Sequence, residues 1–192
     1  MYDETNTLDP LPLFQQKLKF SDSILDIGCG LGVLLEYYHA RVVLGLEIHR
    51  PYLENRKFTS PHIIPIHADA MDIKKLFMPK SISTVTFFDS LEHFTKQDGI
   101  QLLQMAEEIA KHRVIIFTPR GFFPQSNFDF YELNGEKYQG HYSGWEAEEF
   151  IDLGYKVTVF KNFHTISNPA FQHSFGIEHA PVDAILATKN MK

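Results

Sequence analysis

Cysteine and long apolar segments are both scarce in this sequence of 192 residues. Cys29 is the only cysteine, so a disulfide within the chain is impossible and a metal site built from several cysteines is excluded. The apolar runs are short, as at residues 114–117, and none approaches the length needed to cross a bilayer.

Concentrated positive charge is also lacking. The chain contains 18 lysines and arginines against 24 aspartates and glutamates, with a formal net charge of −6. No basic run of the kind that binds a phosphate backbone occurs, so nucleic acid is not the favoured partner. The first residues are polar and include Asp3 and Glu4 rather than a basic start and an apolar signal core. We therefore expect a cytoplasmic protein, and we leave its oligomeric state open.

The composition is that of a folded globular protein, with 44% hydrophobic and 22% charged residues. The length fits one domain with a sizeable core. We expect a single domain over residues 1–192, with irregular insertions at about 120–143 and 163–181. Because the first insertion is rich in aromatic residues, we expect it to be ordered.

Short apolar segments alternate with helical patterns, which is typical of an α/β sheet with helices on both faces. The predicted strands are 23–27, 41–46, 62–66, 84–88, 113–118, 155–162 and 182–188. The predicted helices are 31–39, 51–57, 71–77, 97–111 and 145–153, with a further helix around 13–19. This pattern predicts a doubly wound, mostly parallel sheet.

A glycine-rich turn follows the first predicted strand. Such turns let the backbone bend tightly and approach a ligand where a Cβ atom would clash. A dinucleotide fingerprint needs glycine at its first, third and sixth positions, which here are Gly28, Gly30 and Val33. Gly32 comes one residue too early, and Asp26 precedes the first glycine by two residues. The spacing therefore disfavours a dinucleotide. The alternative is a tight turn without any ligand.

This acidic-x-Gly-x-Gly-x-Gly arrangement resembles motif I of the class I S-adenosylmethionine-dependent methyltransferases. The resemblance implies a Rossmann-like sheet with an antiparallel last strand and S-adenosylmethionine as cofactor. Asp26 would then help to hold the amine of the cofactor, and Gly28 and Gly30 would pass close to its methionyl part. Cys29 lies in the same turn, where we interpret it as a small filler rather than a reactive thiol. Such a cofactor carries no phosphate, in agreement with the spacing.

Acidic residues recur where the next three predicted strands end. The carboxyl ends of parallel strands meet at one crevice, so Glu47, Asp69 and Asp89 are expected to converge there. Glu47 would accept hydrogen bonds from the ribose hydroxyls, Asp69 from the adenine amino group, and Asp89 would lie near the methionyl end. Ile48 and Ala70 are expected to flank the adenine ring. The alternative for each acid on its own is a solvated loop residue or a helix cap, but the recurrence of acids after three successive strands favours one shared site.

The stretch from Asp89 to Phe94 reads Asp-Ser-Leu-Glu-His-Phe. It is similar to the Asp-x-x-Glu-His-hydrophobic segment of the subgroup that includes quinone-biosynthesis methyltransferases. The resemblance places Ser90 in the cofactor site. His93 is the first candidate for a general base, because it is expected close to the methionyl end and the pKa of an imidazole lies near neutrality. The alternative is that His93 organises the loop.

The methyl acceptor is expected to be a small molecule that is methylated on oxygen or nitrogen. Pyrimidine C5 methylation needs a cysteine nucleophile, and Cys29 lies in the glycine turn. In related proteins the loop after strand five commonly walls the acceptor pocket, which suggests that aromatic and basic residues of the first insertion line it. These candidates are Arg120, Phe123, Tyr131, His141 and Trp145. Alternatively, the aromatic residues pack the insertion onto the sheet.

Ten histidines raise the question of a metal site. His164, His173 and His179 cluster loosely but lack the close spacing of metal ligands, so we predict no metal. Two alternatives to an active methyltransferase stay open. One is a catalytically silent protein that binds S-adenosylmethionine and serves in interaction. The other is a nicotinamide-dependent oxidoreductase, which Gly32 and Val33 disfavour.

Overall fold

The computed structural model describes residues 1–126 and 128–192. Its strands are β1 (Asp3–Thr5), β2 (Ser23–Ile27), β3 (Val42–Glu47), β4 (Ile63–His67), β5 (Ile82–Phe88), β6 (Ala110–Pro119), β7 (Lys156–His164) and β8 (Val182–Asn190). Its α-helices are α1 (Leu11–Leu18), α2 (Arg50–Glu54), α3 (Ile73–Leu76), α4 (Lys96–Ile109), α5 (Ala147–Asp152) and α6 (Pro169–Phe175).

All eight strands join one sheet in the order β1-β7-β8-β6-β5-β2-β3-β4. The neighbours are parallel except around β8, which runs antiparallel to both β6 and β7. The chain winds outward from β2 to β4 and then returns through β5 to the other half of the sheet. A crevice therefore opens where the carboxyl ends of β2 and β5 diverge. The predicted fold class, including the antiparallel last strand, is confirmed.

Helices cover both faces of this sheet, and the strands alternate their side chains between two buried clusters. On one face, Leu25 and Ile27 pack with apolar residues of α4 and α5, including Leu102 and Phe150. On the other face, Ile24 belongs to the cluster formed with α1 and with the segment after the glycine turn. The sheet is thus rigidly supported from both sides behind the crevice.

The prediction of a helix at residues 31–39 is wrong. A single turn of 3-10 helix at Leu35–Tyr37 replaces it. Gly32 has φ +71°, which is outside the helical region, and Tyr38 is extended because its side chain is buried against β2. The glycine turn is therefore not followed directly by the N-terminus of an α-helix.

Other boundaries differ by smaller amounts. The longest helix, α4, ends at Ile109, and β6 begins at once at Ala110. The stretch 163–181 is not wholly irregular, because it contains α6 behind an Asn168 cap whose Oδ1 accepts from the amide of Ala170. The short edge strand β1 was not predicted. None of the helices in the described residues is long and apolar enough to cross a membrane, and the location of the protein in the cell stays a prediction.

The first insertion is pinned at both ends. The amide of Gly121 donates to the carbonyl of Trp145 at 2.8 Å. Residues 120 and 121 both form isolated β-bridges with Trp145. A Cβ atom on Gly144 would lie 2.5 Å from the backbone nitrogen of Phe122, so the two ends of the insertion approach as closely as glycine allows. The segment between them folds back over the crevice.

Candidate active site

One cavity of about 590 Å³ occupies the crevice at the carboxyl ends of β2, β3 and β5. All the residues predicted to bind the cofactor, together with His93, line this single cavity. They are Asp26, Gly28, Cys29, Gly30, Glu47, Ile48, Asp69, Ala70, Asp89, Ser90 and His93. The crevice is open rather than filled by side chains. Its size is within the usual range for a small-molecule or cofactor site.

Asp26 lies inside β2, between Gly45 of β3 and Thr86 of β5. Its Oδ1 atom accepts hydrogen bonds from the hydroxyls of Thr86 at 2.6 Å and Tyr38 at 3.1 Å. Burial raises the pKa of Asp26 to about 7, although both hydrogen bonds act in the opposite direction. The second oxygen of Asp26 takes no part in these bonds. Asp26 is therefore a carboxyl group poised to titrate near neutrality.

Glu47 ends β3 and faces the glycine turn. Its Oε2 atom accepts from the amide of Gly30 at 3.0 Å, and its Oε1 atom accepts from the amide of His49 at 2.7 Å. Burial raises the pKa of Glu47, and the amides of His49 and Gly30 oppose that shift. A carboxylate oxygen can accept more than one hydrogen bond. The two backbone bonds therefore fix the carboxylate while leaving it able to accept from a ligand.

Gly28 and Ser90 meet across the crevice. A Cβ atom on Gly28 would lie 2.7 Å from the Cβ of Ser90, and Gly28 has φ +72°. Both facts require glycine at this position. The Oγ atom of Ser90 is buried and has no hydrogen-bond partner among the described residues. Because a buried hydroxyl without a partner is costly, this atom suggests a place where a ligand supplies the missing bond.

The remaining predicted cofactor residues differ in their surroundings. Cys29 packs against β3, where its Sγ would lie 2.9 Å from a Cβ on Gly45, and burial raises the pKa of the thiol. The thiol therefore stays protonated, as expected of a filler. Asp69 accepts from the amide of Met71 at 2.9 Å, so it caps the 3-10 turn Ala70–Asp72 as well as lining the cavity. Asp72 forms an exposed ion pair with Lys75.

The 3-10 turn Leu91–His93 is joined to the far end of the insertion. The carbonyl of Glu92 accepts from the amides of Tyr142 and Ser143, at 2.9 and 3.2 Å. Nδ1 of His93 bonds the carbonyl of Gly140 at 3.0 Å. Burial lowers the pKa of His93 despite the carbonyls of Gly140 and Asp89 that face it. His93 is thus a neutral imidazole in the cavity wall.

Of the five predicted acceptor residues, only Tyr131 lines the cavity. His141 lies beside it, with its ring centroid 4.7 Å from that of His93. Other residues of the insertion complete the wall, together with Tyr52 from α2; they are Lys137, Tyr138, Gln139 and Tyr142. The aromatic residues of the insertion correctly indicated that this segment contributes to the cavity wall. Nothing in the local sequence distinguished these side chains from those that face the core.

Arg120, Phe123 and Trp145 lie away from the cavity, which corrects their expected role. Arg120 forms ion pairs with Glu146 at 3.0 Å and Asp183 at 3.7 Å on the outside of the sheet. Its guanidinium is thus held by protein carboxylates and does not line the cavity. A basic residue directly after a strand was the only signal behind that prediction.

Phe123 and Trp145 are core residues, with exposures of 3% and 1%. Phe123 packs edge-on against Phe175, with ring centroids 4.9 Å apart. Trp145 stacks on Phe150 at 5.2 Å, and its indole nitrogen donates to Ser143 at 3.0 Å. For these two residues the alternative interpretation holds, since they pack the insertion onto the sheet.

The charge of the cavity defines the class of ligand it accepts. Four carboxyl groups line it, and Lys137 is the only lysine or arginine among the lining residues that the structure describes; the acids are Asp26, Glu47, Asp69 and Asp89. Burial raises the pKa of both Asp26 and Asp89 to about 7, and a bound cation would favour their ionised forms, so the wall suits a cation better than a pyrophosphate. A doubly wound sheet, a glycine turn and an acidic crevice together are typical of a protein that binds a positively charged nucleoside.

Comparison with known proteins supports the same class. Residues 24–113 match the family model described as a methyltransferase domain. A methyltransferase from Mesorhizobium loti is 14% identical, with 93% of this chain and 96% of that chain covered and a TM-score of 0.60. A methyltransferase from Archaeoglobus fulgidus is 19% identical, with coverages of 93% and 94% and a TM-score of 0.57. Both are described as dependent on S-adenosylmethionine.

A third similar structure is that of the plantazolicin methyltransferase BamL, in complex with a triazolic desmethylPZN analog and SAH. It is 14% identical, with 92% of this chain and 82% of that chain covered and a TM-score of 0.56. No significant match is found among curated proteins. The matched segment spans somewhat less than half of the chain, and the shared fold is that of structures described as S-adenosylmethionine-dependent methyltransferases, which supports the class that the sequence predicts. The cofactor of this class is S-adenosylmethionine.

Proposed function

We propose that the protein transfers a methyl group from S-adenosylmethionine to a hydroxyl or amino group of a small molecule, and that both reactants bind in the cavity described above. The observation that carries this proposal is the acidic wall, in which Asp26, Glu47, Asp69 and Asp89 face one crevice. S-adenosylmethionine supplies a methyl group on a cationic sulfonium, and its transfer leaves S-adenosylhomocysteine and one proton.

The residues present suit this cofactor. Ser90 Oγ is a buried hydroxyl without a hydrogen-bond partner in the part of the chain that the structure describes, and Asp26 has an oxygen that takes no part in the Thr86 and Tyr38 bonds. We assign both to the methionyl end, where the ligand carries an ammonium and a carboxylate. Glu47 is held by two backbone amides in a position suited to the ribose hydroxyls. Ile48 and Ala70 supply apolar surface for the base.

The insertion supports a small acceptor. His49 Nε2 bonds the carbonyl of Leu133 at 2.8 Å, and Gln139 donates to the hydroxyl of Tyr52 at 3.1 Å. These bonds attach the insertion to α2 across the mouth of the cavity. Because this cover limits the open volume, a compact acceptor fits better than a polymer. Tyr131 is then the first candidate for acceptor contact.

The contribution of the protein to the reaction is mainly positioning. Methyl transfer is an in-line displacement on an already activated carbon, so bringing two reactants together lowers much of the barrier. A base is needed only where the acceptor must lose a proton. His93 is neutral and lines the cavity, but burial makes it a weaker base than an exposed imidazole.

The direct test is transfer of a labelled methyl group from S-adenosylmethionine to a panel of phenols, alcohols and amines. We expect labelled product with at least one class of acceptor, and loss of product when Glu47 is replaced by Gln. Binding of S-adenosylhomocysteine with no transfer to any acceptor would favour the catalytically silent interaction protein. Binding of NAD in preference to S-adenosylhomocysteine would favour the oxidoreductase and end the proposal.

A further inference from the structure

Three side chains meet beside the cavity, and of these only His93 enters the methyl-transfer proposal. One carboxylate oxygen of Glu92, one ring nitrogen of His93 and one of His141 all lie within 4.8 Å of one another. The three come from two parts of the chain that the insertion brings together. Metal–nitrogen and metal–oxygen bonds are about 2.0–2.2 Å long, so only a small adjustment would bring all three onto one ion.

Both imidazoles are oriented by backbone carbonyls. Nδ1 of His93 bonds the carbonyl of Gly140 at 3.0 Å, and Nδ1 of His141 bonds the carbonyl of Phe123 at 2.8 Å. A carbonyl can only accept, so the proton is assigned to Nδ1, and Nε2 carries the lone pair. Histidines that bind metals are held in this way by their other nitrogen.

Both rings are also neutral near pH 7, as metal ligands must be. Burial lowers the pKa of His141 to about 3, with the neighbouring His93 contributing, and it lowers that of His93 as well. Neither ring therefore serves Glu92 as a cation.

Glu92 has no countercharge among the described residues. Its side chain is buried, with 3% exposure, and its Oε2 accepts one hydrogen bond, from the hydroxyl of Thr118 at 3.0 Å. No salt bridge in the described part of the chain includes it. Burial and the neighbouring Asp89 raise the pKa of Glu92, as expected for a buried carboxyl group without a cationic partner, and a divalent ion held beside it would stabilise its charged form.

We propose that Glu92, His93 and His141 bind one divalent transition-metal ion. Two imidazoles and one carboxylate suit manganese, iron, cobalt, nickel or zinc, whereas magnesium prefers oxygen ligands alone. His93 belongs both to this cluster and to the cavity wall, so an ion held by the cluster would lie beside the cavity. The prediction of no metal site, made from sequence spacing, is revised by this proposal.

A metal ion at this site would limit which chemical class of methyl acceptor the protein uses. This inference rests on the proposed function. A bound divalent ion lowers the pKa of coordinated water from far above neutrality to about 7 in favourable sites, and it would lower the pKa of a coordinated hydroxyl in the same way. The hydroxyl proton would leave to solvent water. The structure therefore favours an alcohol or phenol as the acceptor over an amine, whose lone pair needs no deprotonation in advance.

The test begins with metal binding to the whole protein after removal of metals by a chelator. We expect calorimetric titration with Mn²⁺ or Co²⁺ to give one site per chain, and bound Co²⁺ to develop visible absorption. Mg²⁺ should bind much more weakly. S-adenosylhomocysteine is titrated in parallel with chelator present, and we expect its affinity to be unchanged because none of its proposed contacts is a metal ligand.

Two variants locate the site. His141→Asn retains a donor in the place of Nδ1 for the Phe123 carbonyl but removes the Nε2 ligand, and Glu92→Gln retains an acceptor for Thr118 but removes the charge. Each should lower metal affinity by more than the roughly 10–100-fold typical of outer-shell changes. His112→Asn, at an exposed histidine, is the matched control and should bind metal as the unchanged protein does.

The outcomes separate the two proposals. If the folded protein binds S-adenosylhomocysteine but neither Mn²⁺, Co²⁺ nor Zn²⁺, the metal site is wrong and the methyltransferase proposal stands. Equal metal affinity in Glu92→Gln, His141→Asn and the His112→Asn control would also show that the proposed metal site is wrong. Metal binding that depends on Glu92 and His141, without S-adenosylhomocysteine binding, supports the site and contradicts the proposed function. Transfer to hydroxyl acceptors that stops with chelator and returns with Mn²⁺ supports both.

Discussion

The amide of Gly30 donates a hydrogen bond to Oε2 of Glu47 at 3.0 Å, which ties the glycine turn after β2 to the end of β3. The amides of Gly28 and Cys29 reinforce this connection by donating to the carbonyl of Leu46. Because the turn and the acid share these bonds, the floor of the crevice is organised before any ligand arrives. Preorganisation of this kind reduces the cost of binding.

The first prediction concerns the pH dependence of stability at Asp26. Its pKa in the folded protein is about 7, whereas an aspartate in an unfolded chain titrates near about 3.9. Between these values the folded protein keeps a proton that the unfolded chain has lost, so stability falls as pH rises. The penalty is fully present above pH 7 and vanishes below pH 4.

Asp26→Asn removes this penalty while its side-chain oxygen still accepts from Thr86 and Tyr38. We expect the variant to gain more stability over the original protein at pH 8 than at pH 5, by about 2–3 kcal/mol. Urea unfolding at the two pH values measures the difference. Asp22→Asn, at an exposed position, is the control and should show no such trend. A gain for Asp26→Asn that is equal at both pH values would contradict the assignment.

The second prediction concerns the unpartnered hydroxyl of Ser90. A buried polar group without a partner costs about 1–3 kcal/mol, so Ser90→Ala should leave the melting temperature unchanged or raise it. The same variant should weaken binding of S-adenosylhomocysteine, because the ligand loses a hydrogen-bonding partner. Differential scanning fluorimetry and calorimetric titration measure the two effects.

Ser174 provides a matched control, because its Oγ is also buried without a hydrogen-bond partner among the described residues but does not line the cavity. Ser174→Ala should match Ser90→Ala in stability and leave ligand affinity unchanged. If Ser90→Ala binds the ligand as tightly as Ser174→Ala does, Ser90 has no part in the site.

The third prediction separates two residues of the aromatic insertion region. Trp145 is fully buried against Phe150, and its replacement by Ala should cost about 3–5 kcal/mol, or roughly 6–20 °C in melting temperature. Tyr131 is 47% exposed and lines the cavity, so Tyr131→Ala should change stability far less. Thermal unfolding of the two variants measures this contrast.

Tyr131→Ala should instead reduce turnover of whichever acceptor the transfer assay identifies, with little effect on cofactor affinity. Equal destabilisation by the two substitutions would show that Tyr131 is also part of the core. In that case its assignment to the acceptor would be wrong.

The parts of the structure that could be predicted are those determined by the pattern of residues close together in the sequence. Strand β2, the glycine turn and Glu47 could be predicted from the sequence. Buried strands and tight turns each give a recognisable pattern within a few neighbouring residues. Parallel strands then bring their carboxyl ends to one edge. The placing of Glu47, Asp69 and Asp89 around one cavity follows from that geometry alone.

The parts that were missed depend on contacts between distant residues. The helix expected at 31–39 gives way because Tyr38 is drawn into the sheet by its bond to Asp26, twelve positions away in the chain. The cluster of Glu92 and His93 with His141 forms only because the insertion folds back. Sequence spacing alone does not show this approach of residues 92–93 to residue 141.

The acceptor residues illustrate the same limit. Arg120, Phe123 and Tyr131 all belong to one aromatic and basic stretch, but the sheet edge binds Arg120 and the core takes Phe123. Composition predicts that such a segment is ordered. Which of its side chains face the cavity depends on the hydrogen bonds that attach it to α2 and to the turn at residues 91–93.

Calorimetric titration with S-adenosylhomocysteine shows whether Glu47 holds the nucleoside against the glycine turn. We predict one site per chain in the original protein and an affinity about tenfold to a hundredfold lower in Glu47→Gln, since hydrogen bonds to a charged group contribute about 1.5–3 kcal/mol. Glu54→Gln, at an exposed glutamate paired with Arg50, should bind as the original protein does. Equal affinity in Glu47→Gln and Glu54→Gln would contradict the account.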